Sequence, residues 1–246
     1  MYTIYYYAVL LIFELIMFTT GAVLLLLTFP FDKNRKIIHL HSFVWGMLHF
    51  WVNPYWKIHY SGMNNIKRGK PYIIICNHQS MLDICLIYEL PLYFKWVSKK
   101  EAVRIPMVGQ ALWFHRDILI NRGEGTSVKQ MIKKAQAFLK DNISISIFPE
   151  GTRTKDGKIH HFKEGAFLIA RLTKTAILPI VIDGTFDVMP KNSYAVKRKQ
   201  TFYMKILPEI TADEVAKTPV KDMAEKLYNI MLSEHKNIVP QKYPME

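Results

Sequence analysis

Seven short β-type runs recur through this chain, at residues 57–61, 71–76, 93–98, 117–121, 143–148, 176–182 and 201–207. Helical stretches near 80–89, 101–113, 126–140, 163–173 and 219–236 fall between or after most of them. Strands alternating with helices specify an α/β fold: a mainly parallel sheet flanked by helices, with ligand-binding residues at the carboxyl ends of the strands. Functional side chains are therefore expected immediately after each run. The stretch 126–140 sets Val128, Met131, Ile132, Ala135, Phe138 and Leu139 against Lys129, Lys133, Lys134 and Lys140. That spacing predicts a helix packed on the sheet with a solvated basic face. Val220, Met223, Ala224, Leu227, Tyr228 and Met231 mark the inner face of a C-terminal helix in the same way.

The run Tyr72-Ile73-Ile74-Ile75-Cys76 leads directly into Asn77-His78-Gln79-Ser80-Met81-Leu82-Asp83. A histidine followed five residues later by an aspartate suits general-base catalysis: the imidazole takes a proton, and the carboxylate fixes its tautomer and steadies its charge. On a regular helix, positions i and i+5 point roughly 140° apart. His78 must therefore lie in the turn before a helix and Asp83 within its first turns, with Ser80 as the expected N-cap. Taken alone, the pair reads more readily as ordinary structural use. A second motif ends the alternating run Ile143-Ser144-Ile145-Ser146-Ile147-Phe148, namely Pro149-Glu150-Gly151-Thr152-Arg153-Thr154. Gly151 permits a tight turn and close approach by a ligand, and Arg153 offers a planar fork suited to phosphate or carboxylate. In isolation this too reads as a β-turn with a solvated arginine.

Together, NHxxxxD and FPEGTR, about seventy residues apart, resemble the glycerolipid acyltransferase family, and most closely its bacterial lysophosphatidate (1-acylglycerol-3-phosphate) acyltransferases. Further matches come in order: Lys99, Pro106 and Gly109, Ile118-Leu119-Ile120-Asn121-Arg122, Phe162-Lys163-Glu164-Gly165-Ala166 and Leu178-Pro179-Ile180. Asn121 stands where the family usually has aspartate, so no charge is required there. The resemblance covers about residues 55 to 210. It implies transfer of a fatty acyl group from a thioester, acyl-coenzyme A or acyl-acyl carrier protein, to the free hydroxyl of lysophosphatidate, giving phosphatidate. It implies no cofactor and no metal. His78 and Asp83 would be catalytic. Lys99, Arg122 and Arg153 would grip the substrate phosphate, Glu150, Gly151 and Thr152 would shape the acceptor site, and Asn77 would support the turn or the oxyanion. Other lysophospholipids or an acylated amino-acid lipid are alternative acceptors, and a non-catalytic protein that retains the fold is a further alternative.

Residues Ala8 to Phe29 form an apolar run of 22 residues interrupted by Glu14. As a helix it would measure roughly 33 Å against a hydrocarbon core of about 30 Å. Glu14 would cost about 3 kcal/mol at mid-membrane, while the leucine, isoleucine, phenylalanine and valine residues favour insertion by roughly 4 to 8 kcal/mol. The run is too long for a signal peptide and has no basic residues before it, so it is expected to anchor the chain. Lys33, Arg35 and Lys36 come next, which places the catalytic body on the cytoplasmic face. Residues Ile37 to Val52, with His39, His41, His49, Trp45 and Trp51, suit an interfacial helix with interface histidines rather than a metal site. The expected organisation is membrane-anchoring helices over 1–54 and an acyltransferase domain over 55–246.

The net charge is +13, and Glu14 carries the only charge before Asp32, so the body is strongly basic. Such a body fits anionic partners: membrane lipids, phosphorylated substrates or an acidic carrier protein. No nucleic-acid recognition signature accompanies the charge, and none is expected as partner. Cys76 and Cys85 lack CxxC spacing and are expected to be reduced, Cys76 as a small buried residue. Gly123-Glu124-Gly125 lacks the third glycine of a dinucleotide fingerprint, and no GxxxxGK[ST] loop, GxSxG elbow or HExxH helix occurs.

Overall fold

All seven β-type runs form strands, and they join a single seven-stranded sheet in the order β1-β7-β6-β2-β5-β3-β4. The strands are β1 (Trp56–Ser61), β2 (Ile73–Cys76), β3 (Phe94–Lys99), β4 (Ile118–Ile120), β5 (Ser144–Ile147), β6 (Ile177–Asp183) and β7 (Gln200–Ile206). The helices are α1 (Tyr2–Thr28), α2 (Lys36–Trp51), α3 (Leu82–Ile87), α4 (Val108–His115), α5 (Gly125–Lys140), α6 (Gly165–Thr173), α7 (Thr185–Val188), α8 (Ala212–Lys217) and α9 (Val220–Ile238). This computed structural model describes residues 2–104, 108–120, 125–190, 193 and 195–243.

From β6 to β4 the neighbours are all parallel, with Ile73 level with both Ile145 and Ile177. β7 runs antiparallel to β6, and β1 parallel to β7. The reversal has a physical cause. A parallel return needs a crossover, usually a helix of some length, and among the described residues of the β6–β7 link only the four-residue α7 is helical. Alternation along the central strands sends side chains to two buried clusters. Ile74, Cys76, Leu178 and Ile180 face one way, and Ile73, Ile75, Ile145 and Ile177 the other. α5, α6, α8 and α9 close the second face through residues such as Phe138, Ala170, Val215 and Leu227.

The first face is covered by α3 together with the N-terminal hairpin. Phe50 of α2 packs edge-on to Phe202 with ring centroids 5.1 Å apart, and Tyr6 of α1 lies 5.3 Å from Trp56. Burying an aromatic ring of this kind stabilises by about 1.5–3 kcal/mol. Glu14 faces inward: its carboxylate accepts from Trp45 Nε1 at 3.0 and 3.1 Å and meets His49 Nε2 at 3.1 Å. His39 and His49 of α2 are buried ties within the protein, and His41 is half-buried. His39 is buried against His115, and His41 meets Thr20 at 2.9 Å. Among the described residues no group of three His, Cys, Asp or Glu could hold a metal.

Two expected elements change form. The stretch 101–113 divides into a 3-10 turn at Lys100–Arg104 and α4, with Pro106 outside the described residues. Ser80 is not the N-cap of the next helix: α3 starts at Leu82, and Ser80 Oγ donates to Met189 O at 2.7 Å, with only a long 3.4 Å contact from Leu82 N. Met81 is the N-cap and has no side-chain cap bond, and Asp83 accepts from the backbone before the helix, at Gln79 and Ser80.

Candidate active site

His78 leaves the end of β2 in a turn that Asp83 organises from the first turn of α3. One carboxylate oxygen, Asp83 Oδ2, accepts from His78 Nδ1 at 2.8 Å, Gln79 N at 2.6 Å and Ser80 N at 2.8 Å. The other, Oδ1, accepts from the Thr185 hydroxyl at 2.5 Å. Asp83 is fully buried, and four donors offset its desolvation. Since the carboxylate only accepts, His78 Nδ1 carries a proton, and in the neutral ring Nε2 holds the lone pair. Nε2 has no hydrogen-bond partner among the described residues, and 14% of the His78 side chain is exposed. The imidazole lies flat on Phe148, with centroids 3.9 Å apart and planes 9° apart, and Phe148 stacks on Trp96 at 5.1 Å. Ring rotation is therefore blocked from two directions.

The 149–154 loop is tied to that turn. Glu150 Oε1 accepts from His78 N at 2.9 Å, and Thr154 N donates to His78 O at 2.8 Å. Glu150 Oε2 accepts from His160 N at 3.4 Å. Burial pushes the Glu150 carboxyl up to about 8, against which these two N–H donors pull it down. Glu150 thus serves as the pin between the two motifs. Gly151 turns the loop at φ 74°, a left-handed conformation that disfavours a side chain. Beyond it a cleft of about 290 Å³ is lined by Glu150, Thr152, Arg153, Thr154, Lys155, Asp156 and His160. The Asp156 carboxyl is held down at about 2: burial would raise it, but the Thr154 hydroxyl, Lys158 N and His160 outweigh that.

A family model described as Acyltransferase matches residues 57–183, which spans both motifs and the strands that carry them. The chain belongs to the acyltransferase family. Among its relatives is the chloroplastic 1-acyl-sn-glycerol-3-phosphate acyltransferase LPAT1 of Arabidopsis thaliana, 33% identical over 75% of this chain and 51% of that one. The 1-acyl-sn-glycerol-3-phosphate acyltransferase alpha of Mus musculus is 28% identical over 82% of this chain and 70% of its own length. The chain spans about half the length of the first curated relatives it matches. The fold matches the crystal structure of the 1-acyl-sn-glycerophosphate acyltransferase PlsC of Thermotoga maritima, with a TM-score of 0.80 at 23% identity, over 99% of this chain and 96% of that one.

In this acyltransferase the remaining motif residues divide into those at the site and those behind it. Lys99 ends β3, exposed on the same carboxyl edge as His78. The sheet order puts it two strands, about 10 Å, from β2. Arg122 lies outside the described residues. Asn77 is buried and pairs reciprocally with the backbone of Ile182, Nδ2 to O and N to Oδ1, both at 2.9 Å. It supports the turn and is not placed to serve an oxyanion. Burial drives the Cys76 thiol well above its usual range, with the charges of Asp83 and Glu150 adding to the effect, so it is no nucleophile.

Behind the turn lies a polar network that the motifs do not signal. Gln79 Nε2 donates to Gly157 O at 2.9 Å and Asp183 Oδ1 at 3.1 Å. Asp183 Oδ1 also meets His235 Nε2 at 2.9 Å and Lys242 Nζ at 2.7 Å, and His235 Nδ1 meets the Tyr243 hydroxyl at 2.7 Å. The available signal was positional: Asp183-Gly184-Thr185 ends a strand on the carboxyl edge, as both recognised motifs do.

Proposed function

We propose that this chain transfers a fatty acyl group from an acyl thioester to the free hydroxyl of lysophosphatidate, giving phosphatidate. The observation that carries the reading is the 2.8 Å contact between His78 Nδ1 and Asp83, with Nε2 unpartnered among the described residues and beside a loop rich in cations. The acceptor hydroxyl gives its proton to His78 Nε2 as its oxygen attacks the thioester carbonyl. Asp83 stabilises the imidazolium that forms. The tetrahedral intermediate then collapses, the C–S bond breaks, and the thiolate leaves with the proton from His78. Arg153 and Lys155 in the cleft, with Lys99 on the same edge and Arg122, supply positive charge for the acceptor phosphate. Coenzyme A and acyl carrier protein are both donors of suitable chemistry, and a basic body suits either.

The N-terminal hairpin supports a membrane location, and the basic Lys33, Arg35 and Lys36 after α1 suit a catalytic body on the cytoplasmic face, at its anionic leaflet. α1 is long and apolar enough to cross a bilayer, and Ile4, Leu11, Ile12, Leu26 and Leu27 are more than half exposed along its outer side. Its inner side touches the body at three points between Thr3 and Phe18. Thr3 Oγ1 accepts from Val196 N at 3.3 Å, Tyr6 packs on Trp56, and Phe18 stacks on Phe114 at 5.5 Å. These contacts along its N-terminal two-thirds suit a hairpin lying against one leaflet, with its outer side in lipid.

The test is acyl transfer by full-length protein and H78A, with both donors, to lysophosphatidate and to lysophosphatidylcholine. Transfer to lysophosphatidate that the substitution abolishes is the expected result. Preference for the choline lipid would move the enzyme to another acceptor, and no transfer from folded protein would overturn the reading.

A further inference from the structure

The tip of β6 carries a side chain that the reaction above does not use. Thr185 comes after Asp183 and Gly184 on the carboxyl edge and is fully buried. Its hydroxyl lies 2.5 Å from Asp83 Oδ1 and 3.3 Å from Gln79 Oε1. One hydroxyl proton cannot serve both acceptors, and the shorter contact, to the ionised group, takes it. The two oxygens of Asp83 are thus unequally supplied. Oδ2 receives three N–H groups, whereas Oδ1 has Thr185 as its one donor among the described residues.

We propose that Thr185 is a positioning residue for acyl transfer: its hydroxyl fixes the rotation of the Asp83 carboxylate, keeping Oδ2 aligned with His78 Nδ1 as the imidazolium forms. Without the hydroxyl, Oδ1 would be a buried anionic oxygen lacking a donor. The carboxylate could recover one only by turning, which would pull Oδ2 away from the His78 turn. The backbone prepares this contact. Gly184 holds φ 95°, and a Cβ there would lie 2.5 Å from Thr201 O, so the strand tip adopts a course open to glycine that brings Thr185 inward. Asp183, on the other side of Gly184, is tied to Gln79, His235 and Lys242. The segment that orients Thr185 is therefore anchored to the catalytic turn and to the C-terminal helix at once.

This inference rests on His78 acting as the base, and the experiment separates the two. Full-length wild type, T185V, T185S and T185A would be assayed in lipid–detergent micelles for transfer to lysophosphatidate, at saturating substrates and across pH. Wild-type transfer is the reference, and its absence would overturn the functional reading itself. T185V is expected to lower kcat about tenfold or more, with KM for both substrates changed less than about twofold, and T185S to recover activity to within about threefold. A carboxylate turned away from His78 supports the imidazolium less. The acid limb of the kcat profile should therefore move to lower pH in T185V and return in T185S. T185A is read in the same way if T185V fails to give a cooperative melt. Wild-type activity in the variant lacking the hydroxyl, an equal loss in T185S, or an unmoved acid limb would each overturn the assignment.

Discussion

Two histidine–aspartate pairs in this molecule have nearly the same contact geometry. His78 Nδ1 lies 2.8 Å from Asp83 after β2, and His115 Nδ1 lies 2.7 Å from Asp117 before β4. They differ in what the second ring nitrogen meets. His78 Nε2 has no partner among the described residues, whereas His115 Nε2 faces His39 Nδ1 at 3.0 Å, and His39 Nε2 meets Leu92 O at 2.8 Å. The His115 side chain is 2% exposed, and burial lowers its proton affinity despite Asp117. Asp117 Oδ1 also accepts from Trp96 N. The first pair has the geometry the proposed base needs, and the second ties the α2 and α4 helices to β3. What separates the two contacts is the second ring nitrogen and the edge of the sheet that presents it.

The largest effect is expected from breaking the first pair. H78A should lower kcat for lysophosphatidate by about 10³-fold or more while the protein folds and still associates with vesicles. Activity within threefold of wild type would erase the difference between the two pairs. H115N makes the converse test. Removing one partner of a buried pair is expected to cost about 3–5 kcal/mol of stability, read by denaturant unfolding, with little change in kcat for the protein that remains folded. A kcat loss near that of H78A would show that the buried pair serves the chemistry.

Arg153 sharpens the comparison by asking what the exposed edge recognises. R153A should raise KM for lysophosphatidate about 10- to 100-fold and leave a phosphate-free monoacylglycerol acceptor nearly unaffected. Equal impairment with both acceptors would remove the phosphate from its role. The smallest effect concerns Glu150. Its carboxyl is raised from 4.5 to about 8, so the folded protein holds a proton that the unfolded chain has released. Its contribution to stability is therefore present below about 4.5 and is lost as pH rises to about 8. E150Q has no such proton, so its melting temperature relative to wild type should rise from about pH 5 to about pH 8. A constant difference would mean that Glu150 is ionised when buried.

The amino-acid sequence by itself determined the strand set, the parallel core of the sheet and the two motifs. Each of these rests on local chemistry: apolar runs of strand length, a five-residue spacing that forces a turn, and a strand ending in Pro-Glu-Gly. It also determined the basic face of α5 and the buried face of α9, since helical periodicity is a property of neighbouring residues. Only the tertiary structure decided that Asn77 pairs with Ile182 at a separation of 105 residues, that Thr185 reaches Asp83 across 102, and that Gln79 joins His235. It likewise turned Glu14 inward onto Trp45 and His49, where composition had read the cost of a charge in lipid. These contacts join polar side chains far apart in the chain. A polar residue carries no periodic signature of its partner, because the partner is chosen by which strand tips the sheet order brings to one edge.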